Sequence, residues 1–185
     1  MSESKKEFLT FRLSREEFAV EILRVQEIRG WEEPTPLPSV PAYVKGVVDL
    51  RGSVVPIIDL REKFGLPLTY DGTTVVIVVH VFTSQGERVV GLVVDAVSDV
   101  HTFNLDEVQP APDISTSIDS QYIIGLSTLF EGQGQSSMTA ATSDAQDHKP
   151  SKGRMVILID IDSLANEGLL SQVSNSVNNM PTGNG

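Results

Sequence analysis

Apolar residues along this chain fall mainly in short runs rich in Val, Ile and Phe, bounded by Gly, Pro, Ser or Asp. Within the runs they alternate with polar residues more often than they recur at helical spacing, which is typical of β-strands. Leu9, Phe11 and Leu13 are expected to share one strand face. After the turn SREE, Phe18 and Val20 are expected on the inner side of the facing strand. The pattern predicts a mostly β protein.

The segment TVVIVVHVF, residues 74–82, is apolar on both faces and so predicts a strand deep in a sheet. The turn TSQGER leads from it into VVGLVVDAV. Two stretches look helical: DLREKF, and DIDSLANEGLL, which predicts a short C-terminal helix that an aspartate can cap. Leu164, Leu169 and Leu170 are expected to dock this helix. The chain therefore predicts two clusters of strands and few helices.

The two halves of the chain repeat one order of motifs. ILRVQEI at 22–28 matches VDAVSDV at 94–100, GVVDL at Gly46 matches GLSTL at Gly125, and VPIIDL matches VILIDI. A separation of about 70 to 80 residues indicates a small five-stranded barrel that occurs twice, because closing each sheet removes its edges. Chance similarity between β-branched strings is the alternative.

The repeat also predicts the domain organisation. We expect one domain over residues 1–170, with the first barrel mainly at 15–70 and the second mainly at 73–160. The N-terminal strand is shared or belongs to the first barrel. A Gly-, Ser- and Thr-rich stretch at 132–153 stands where the first half has a tight turn, and it predicts a disordered loop. Residues 171–185 lack periodicity and predict a flexible tail.

Composition and charge exclude several classes of protein. The 185 residues carry 14 basic and 25 acidic side chains, a formal charge of -11, which repels phosphate backbones and anionic membrane surfaces. The start MSESKKEF has no apolar run after it, and no run reaches the roughly 18 to 20 apolar residues that span a bilayer. Zero cysteines exclude disulfides and cysteine-bound zinc. A globular, cytoplasmic protein that binds no nucleic acid is expected.

A search for catalytic motifs finds none. His80, His101 and His148 do not have metal-ligand spacing, and the chain has no phosphate-binding glycine loop. GLSTL at Gly125 lacks the second glycine of a nucleophile elbow. A capping role at strand ends and turns is expected for Asp49, Asp59, Asp95 and Asp160. No enzymatic activity, cofactor or metal is expected.

The ordered motifs resemble the CheW family, the coupling proteins of bacterial chemotaxis. VKGVVDLRGSVVPIIDLREKFGL is similar to the family signature, and ILRVQEI, PTPLPSVPAYVKG, VVGLVVDAVSDV and MVILIDIDSL occur in the family's order, over roughly Glu7 to Leu170. The resemblance implies two SH3-like five-stranded β-barrels packed on a shared hydrophobic seam. It also implies a non-enzymatic adaptor that joins the cytoplasmic tip of methyl-accepting chemoreceptors to the regulatory domain of the histidine kinase CheA.

The resemblance implies receptor contact by the arginine of L-R-G, Arg51. At a tight turn its guanidinium offers five donors to carboxylates or helix-end carbonyls of a partner. Matching apolar positions in the two halves predict an apolar groove for a receptor helix, with Glu27 and Asp99 along its rim. A purely core role for those apolar residues is the alternative. The expected receptor-binding residues are Val25, Glu27, Ile28, Arg51, Val97 and Val100.

Kinase contact is expected elsewhere, because one adaptor must hold both partners at once. By resemblance it is assigned to Gly46, Val75 and Val76. Pro56 lacks a backbone donor, which predicts an edge strand or a bulge at its position.

The chain departs from the family pattern at two places: Asp49 stands where asparagine is usual, and the long stretch before Arg154 replaces a short turn. Three alternatives stay open. The kinase's own regulatory domain and CheV-type couplers share the fold, but we expect no ATP-binding or receiver domain in 185 residues. A small enzyme or ligand-binding barrel requires a pocket with convergent polar groups, which the sequence does not indicate.

Overall fold

The computed structural model describes residues 4–83, 86–110, 122–129 and 154–165. Its strands are β1 (Lys5–Leu13), β2 (Glu16–Glu21), β3 (Val25–Gly30), β4 (Val44–Leu50), β5 (Ser53–Asp59), β6 (Val75–Thr83), β7 (Gly86–Val94), β8 (Ala96–Asn104), β9 (Ile123–Leu129) and β10 (Arg154–Ile159). Two short helices, α1 (Leu60–Lys63) and α2 (Ile161–Ala165), and two 3-10 turns, Ile22–Arg24 and Leu105–Glu107, complete the described elements.

The strands form two five-stranded sheets. Sheet 1 has the order β8-β1-β2-β10-β9, and sheet 2 has the order β3-β6-β7-β5-β4. Both helices predicted from the sequence are present, α1 in DLREKF and α2 at the start of DIDSLANEGLL. The prediction of a mostly β protein with two five-stranded units is confirmed. The stretch 132–153, the tail 171–185, Leu169 and Leu170 lie outside the described residues.

The two halves of the chain are interlaced. The hairpin β1–β2 pairs with β8 and β10, whereas the hairpin β6–β7 pairs with β3 and β5. The sheets therefore do not follow the predicted division into 15–70 and 73–160. The reason is the length of two joints: three residues, Ile22–Arg24, separate β2 from β3, and Asp95 alone separates β7 from β8. Joints this short cannot make a parallel crossover, which needs roughly a dozen residues or more. β2 is flanked by β1 and β10, and β7 is flanked by β6 and β5, so no antiparallel position is free and the chain passes into the other sheet.

Strand β6 shows how the core is layered. Ile77, Val79 and Val81 belong to a cluster shared by the two sheets, whereas Val76 and Val78 belong to a second cluster within sheet 2. The predicted burial of both faces of this strand is confirmed. A third cluster fills the other face of sheet 1, with Phe8, Ala19, Phe103, Val156 and Leu158. The shared cluster joins Leu9, Phe11, Leu13, Phe18, Val20, Ile157 and Ile159 of sheet 1 to Val44, Val47, Ile58, Val90, Leu92 and Val94 of sheet 2.

Two equivalent glycines support the repeat. Thr35, beyond the end of β3, exchanges two backbone hydrogen bonds of 2.9 and 2.8 Å with Val47 of β4, and Gln109 does the same with Leu126 of β9 at 2.9 and 2.7 Å. Close approach at these bridges leaves no room for a side chain. A Cβ on Gly46 would lie 2.0 Å from the Thr35 carbonyl oxygen, and one on Gly125 would lie 2.8 Å from the Gln109 carbonyl oxygen.

The four predicted capping aspartates all accept backbone hydrogen bonds. Asp59 accepts from Arg61 N at 3.0 Å and so caps α1, and Asp160 accepts from Asp162 N at 3.1 Å and caps α2. In the turns, Asp49 accepts from Gly52 N at 2.8 Å and Asp95 accepts from Ser14 N at 2.6 Å. The structural role predicted for these carboxylates is confirmed.

Arg61 is a fully buried cation at the start of α1. Its Nε and Nη2 donate to the two carboxylate oxygens of Asp59 at 3.0 and 2.9 Å, and its Nη1 donates to Asp95 Oδ1 at 2.7 Å. Nη1 also donates to the carbonyl oxygen of Thr69, and the Tyr70 hydroxyl donates to Asp59 at 2.8 Å. Burial opposes the charge of Arg61, but the hydrogen bonds and charges of the two carboxylates outweigh it and raise its pKa above the ordinary value.

We expect Gly46→Ala to destabilise the fold by about 3 kcal/mol, because the new methyl group collides with the Thr35 backbone and the residue has a φ of 140°. Gly72→Ala is the matched control, since nothing lies within 4 Å of its Cβ position, and it should change stability by less than about 0.5 kcal/mol. Urea unfolding measures both. Equal stability of the two variants would contradict the close approach at Gly46.

Asp59→Asn should cost about 3 kcal/mol or more, because it leaves a buried guanidinium with too little negative charge. Asp49→Asn provides the control in an exposed turn, where the carboxylate accepts from a backbone N–H, and it should cost about 1 kcal/mol or less. Chemical unfolding of the two variants side by side makes the comparison. A difference below about 1 kcal/mol would show that Arg61 does not depend on Asp59.

Burial, and then the hydrogen bond to Asp59, raises the pKa of the Tyr70 hydroxyl to about 12. The folded pKa exceeds the ordinary value of 10.0, so this interaction stabilises the fold fully below pH 10 and is lost as the pH rises from 10 to about 12. Ultraviolet titration of the phenolates should show a late change in absorbance that is missing from Tyr70→Phe. Persistence of the late titration in that variant would assign it to another residue.

Candidate functional site

The predicted receptor-binding residues lie mainly on the edge strands β3 and β8, one in each sheet. Val25 and Val97 are partly buried and pack against the shared cluster. Ile28 is 45% exposed and Val100 is 48% exposed. These two residues end the matching segments of the two halves, so the equivalent positions agree in exposure as well as in sequence. Core packing therefore accounts for Val25 and Val97, whereas Ile28 and Val100 offer apolar surface to solvent.

Both edge strands carry a β-bulge at equivalent positions. In β3 the register with β6 shifts between Val25 and Glu27, and in the β1–β8 pair it shifts opposite Thr10. The buried Thr10 hydroxyl donates to the Asp99 carbonyl oxygen at 2.8 Å and accepts from its N–H at 3.1 Å. A bulge interrupts the ladder and discourages addition of a further strand, so these edges favour side-chain contacts over strand pairing.

Arg51 stands at the tip of the β4–β5 hairpin. Leu50 pairs directly with Ser53, and the two loop residues, Arg51 and Gly52, have φ values of 53° and 86°. Two positive φ values are typical of a type I′ turn, where Asn-Gly is preferred. An arginine in the left-handed region costs about 1–2 kcal/mol, so turn stability does not account for an arginine at this position.

The turn brings Arg51 to the edge strand β3. Its side chain is 80% exposed, and its Nη2 lies 3.6 Å from Glu27 Oε2. An exposed pair of this kind contributes less than about 1 kcal/mol to stability, so the contact adds little to the stability of the fold. The structure thus brings together two of the predicted receptor residues that the chain separates by the whole of β4.

The expectation for Pro56 is wrong. The residue lies on β5, which is flanked by β4 and β7 and is therefore neither an edge strand nor at a register shift. Pro56 pairs with Val47, whose N–H and carbonyl oxygen both bond to Thr35 instead. This pair exchanges no hydrogen bonds, and the parallel ladder to β7 begins only at Ile57. A central strand therefore tolerates the missing donor here.

The residues predicted for kinase contact differ in accessibility. Gly46 and Val76 are buried, the first against Thr35 and the second in the cluster within sheet 2. Val75, at the start of β6, is partly exposed. Any kinase contact at Gly46 or Val76 is therefore indirect, through the shape of the surface above them.

Sequence reasoning missed an ion pair at the start of β3. Arg24 Nη1 and Nη2 donate to Asp162 Oδ1 and Oδ2 at 3.1 and 2.8 Å, and the guanidinium lies over the Phe82 ring, 4.2 Å from its centroid. At the other end of the strand, Trp31 stacks on Tyr70 with centroids 4.5 Å apart. The two positions of the ion pair are 138 residues apart in sequence, and no local signal connects them.

The histidines take structural positions where they are described. His80 lies on β6 with Nδ1 2.9 Å from Glu87 Oε1, and the His101 ring lies 6.4 Å from that of Phe103. His148 lies outside the described residues. Within the described ranges, no three His, Asp or Glu side chains form a group that could hold a metal ion. No helix in that part of the chain has the length and apolar character needed to cross a membrane.

A family model described as the CheW-like domain matches residues 7–168. Chemotaxis protein CheW of Klebsiella aerogenes is 40% identical over 171 residues, which cover 92% of this chain and 87% of that protein. Chemotaxis protein CheW of Rhizobium meliloti is 36% identical over 159 residues, 86% of each chain. The crystal structure of the scaffolding protein TtCheW from Thermoanaerobacter tengcongensis has the same fold, with a TM-score of 0.64 and 24% identity over 84% of each chain. The chain therefore belongs to the CheW family.

Proposed function

We propose that the protein is a non-enzymatic adaptor that couples the cytoplasmic tips of methyl-accepting chemoreceptors to the regulatory domain of the histidine kinase CheA. The observation that carries the proposal is Arg51, which is 80% exposed in a turn conformation that disfavours it, beside Glu27 on an edge strand. A scaffold of the CheW family needs surfaces for partners, and this arrangement presents a donor-rich cation next to apolar surface.

The receptor surface combines apolar and charged groups. Ile28 and Val100 supply exposed apolar area, and Val25 and Val97 lie behind them against the shared cluster. A receptor tip is a helical hairpin, and a helix docks by laying an apolar stripe on such residues while polar groups line the rim. Three charged side chains serve as that rim: Glu27, Arg51 and Asp99.

Arg51 acts as the directional contact on this surface. Its guanidinium can donate two hydrogen bonds to a carboxylate, or to two carbonyl oxygens at a helix end. In the free protein its Nη2 lies 3.6 Å from Glu27 Oε2, which places the donor-rich end of the side chain at the edge strand β3.

The kinase contact is assigned to Val75 at the partly exposed start of β6, while Gly46 and Val76 are buried in sheet 2. Separate surfaces allow both partners to be held at once, which a coupling role requires. The protein works in the cytoplasm and joins the membrane-associated arrays through the receptors, and no catalytic group, cofactor or metal takes part.

Arg51→Glu should weaken binding to a receptor-tip fragment by about 2 kcal/mol or more, because it places a carboxylate beside Glu27 and removes the donor fork. Stability should change little, since the site is a solvent-exposed turn. Affinity for the kinase regulatory domain should stay the same. Isothermal calorimetry with each partner measures the two effects.

Arg15→Glu is the matched control. Arg15 is also an exposed arginine at a hairpin turn, between β1 and β2, so the variant makes the same change of net charge away from β3. It should bind the receptor fragment like the parent. Equal loss in both variants would mean that total charge governs binding, and an unchanged affinity of a folded Arg51→Glu protein would remove Arg51 from the receptor surface.

A further inference from the structure

Each joint between the two sheets carries a charged side chain that pairs with a helix. Arg24 ends the joint between β2 and β3 and pairs with Asp162 of α2, whereas Asp95 forms the joint between β7 and β8 and pairs with Arg61 of α1. Arg61 and Asp162 are both the second residue of their helix. The two halves thus contain equivalent ion pairs with the charges exchanged: the joint residue is basic in one pair and acidic in the other.

The arrangement follows from the parallel strand pairs. β5 runs parallel to β7 with Asp59 opposite Val93, and β10 runs parallel to β2 with Leu158 opposite Ala19. The helix after one strand therefore starts beside the joint after the other. Each ion pair lies where the chain leaves one sheet and begins an edge strand of the other.

Few backbone hydrogen bonds hold the edge strand β3 in its sheet. It has β6 as its hydrogen-bonded neighbour on one side, and the register between them shifts near Gln26. An edge strand whose hydrogen-bond ladder is interrupted opens locally at a lower free-energy cost than the central strands of a fold. Its far end is held by Trp31, whose ring stacks on Tyr70 and whose backbone N–H donates to the Thr74 carbonyl oxygen at 3.2 Å.

The near end of β3 is tied by Arg24. Besides the two hydrogen bonds between Arg24 and Asp162, Asp162 Oδ1 accepts from the backbone N–H of Phe82 at 2.8 Å. The side chains of the ion pair are 22% and 27% exposed, and the guanidinium covers one face of the Phe82 ring. One carboxylate therefore joins α2, the end of β6 and the start of β3. A partly buried ion pair with two hydrogen bonds fixes the relative position of its two side chains more firmly than an exposed ion pair does.

We propose that Arg24 and Asp162 are positioning residues for the receptor-facing strand: they fix the start of β3, and through it the placement of Glu27 and Ile28. Neither residue needs to touch the receptor. The identity of the partner rests on the proposed function, whereas the mechanical role of the ion pair in holding β3 does not.

The test compares Arg24→Gln, Asp162→Asn and the double variant by amide hydrogen exchange. We expect exchange in β3 to rise about tenfold in Arg24→Gln, while amides of the β1–β2 hairpin stay within about twofold of the parent. Affinity for the receptor-tip fragment should fall about fivefold, and affinity for the kinase regulatory domain should not change. Because the two residues act through each other, the double variant should be no worse than either single one.

Arg154→Gln is the matched control. Arg154 donates to Glu17 at 2.8 Å, the same separation as the shorter contact of Arg24, but it links β10 to β2. Its loss should leave exchange in β3 and receptor affinity unchanged. Should Arg24→Gln not fold, Arg24→Lys keeps the charge without the two-point contact and should give a smaller acceleration confined to β3.

Unchanged exchange in β3 would overturn the proposal, and so would a rise spread evenly over both sheets, which is the signature of general stabilisation. Additive effects of the two substitutions would also contradict it. A parent protein that does not bind the receptor fragment would refute the proposed function, and the exchange measurement would still decide the role of the ion pair.

Discussion

The fold depends on two short joints. Three residues lead from β2 into β3 and one residue leads from β7 into β8, and neither joint can carry the chain across its own hairpin to a parallel position in the same sheet. Both sides of β2 and of β7 are already occupied in their own sheets, so each half of the repeat gives its hairpin to one sheet and its other three strands to the other. Interlacing places β3 and β8 at the edges of different sheets, and it creates the shared cluster, because residues of both halves must pack between the sheets.

The two ion pairs that link the joints to the helices also follow from the positions of the joints. The joints emerge beside the starts of α1 and α2, where Asp59 and Asp160 already cap the helices. Arg61 meets two carboxylates with no exposed surface of its own, which makes it costly to leave unpaired, whereas the more exposed Arg24 meets Asp162 beside the edge strand β3. We infer that the more buried pair contributes mainly to the stability of the fold and that the less buried pair positions β3.

Local features were predictable from the sequence, and pairings between distant segments were not. The alternation in β1 and β2, the unbroken apolar run of β6 and the capping aspartates depend on neighbours within a few residues. The partners of a strand do not, because a period of two fixes which face is buried and not which strand lies alongside; the division at residues 70–73 and the edge position of Pro56 failed for this reason. Of the candidate site, the family signature pointed to Arg51, and the repeat pointed to Ile28 and Val100. The link from Arg24 to Asp162 spans 138 residues and has no sequence signal.

An adaptor is defined by holding two partners at once, so the central claim is best tested with both present. Membranes that contain receptors are sedimented with the protein, with the kinase, and with the two together. We expect the protein to enter the pellet with receptor membranes alone, and its addition to increase the amount of kinase in the pellet. A protein that stays in the supernatant, or kinase sedimentation that does not respond to the protein, would contradict the account.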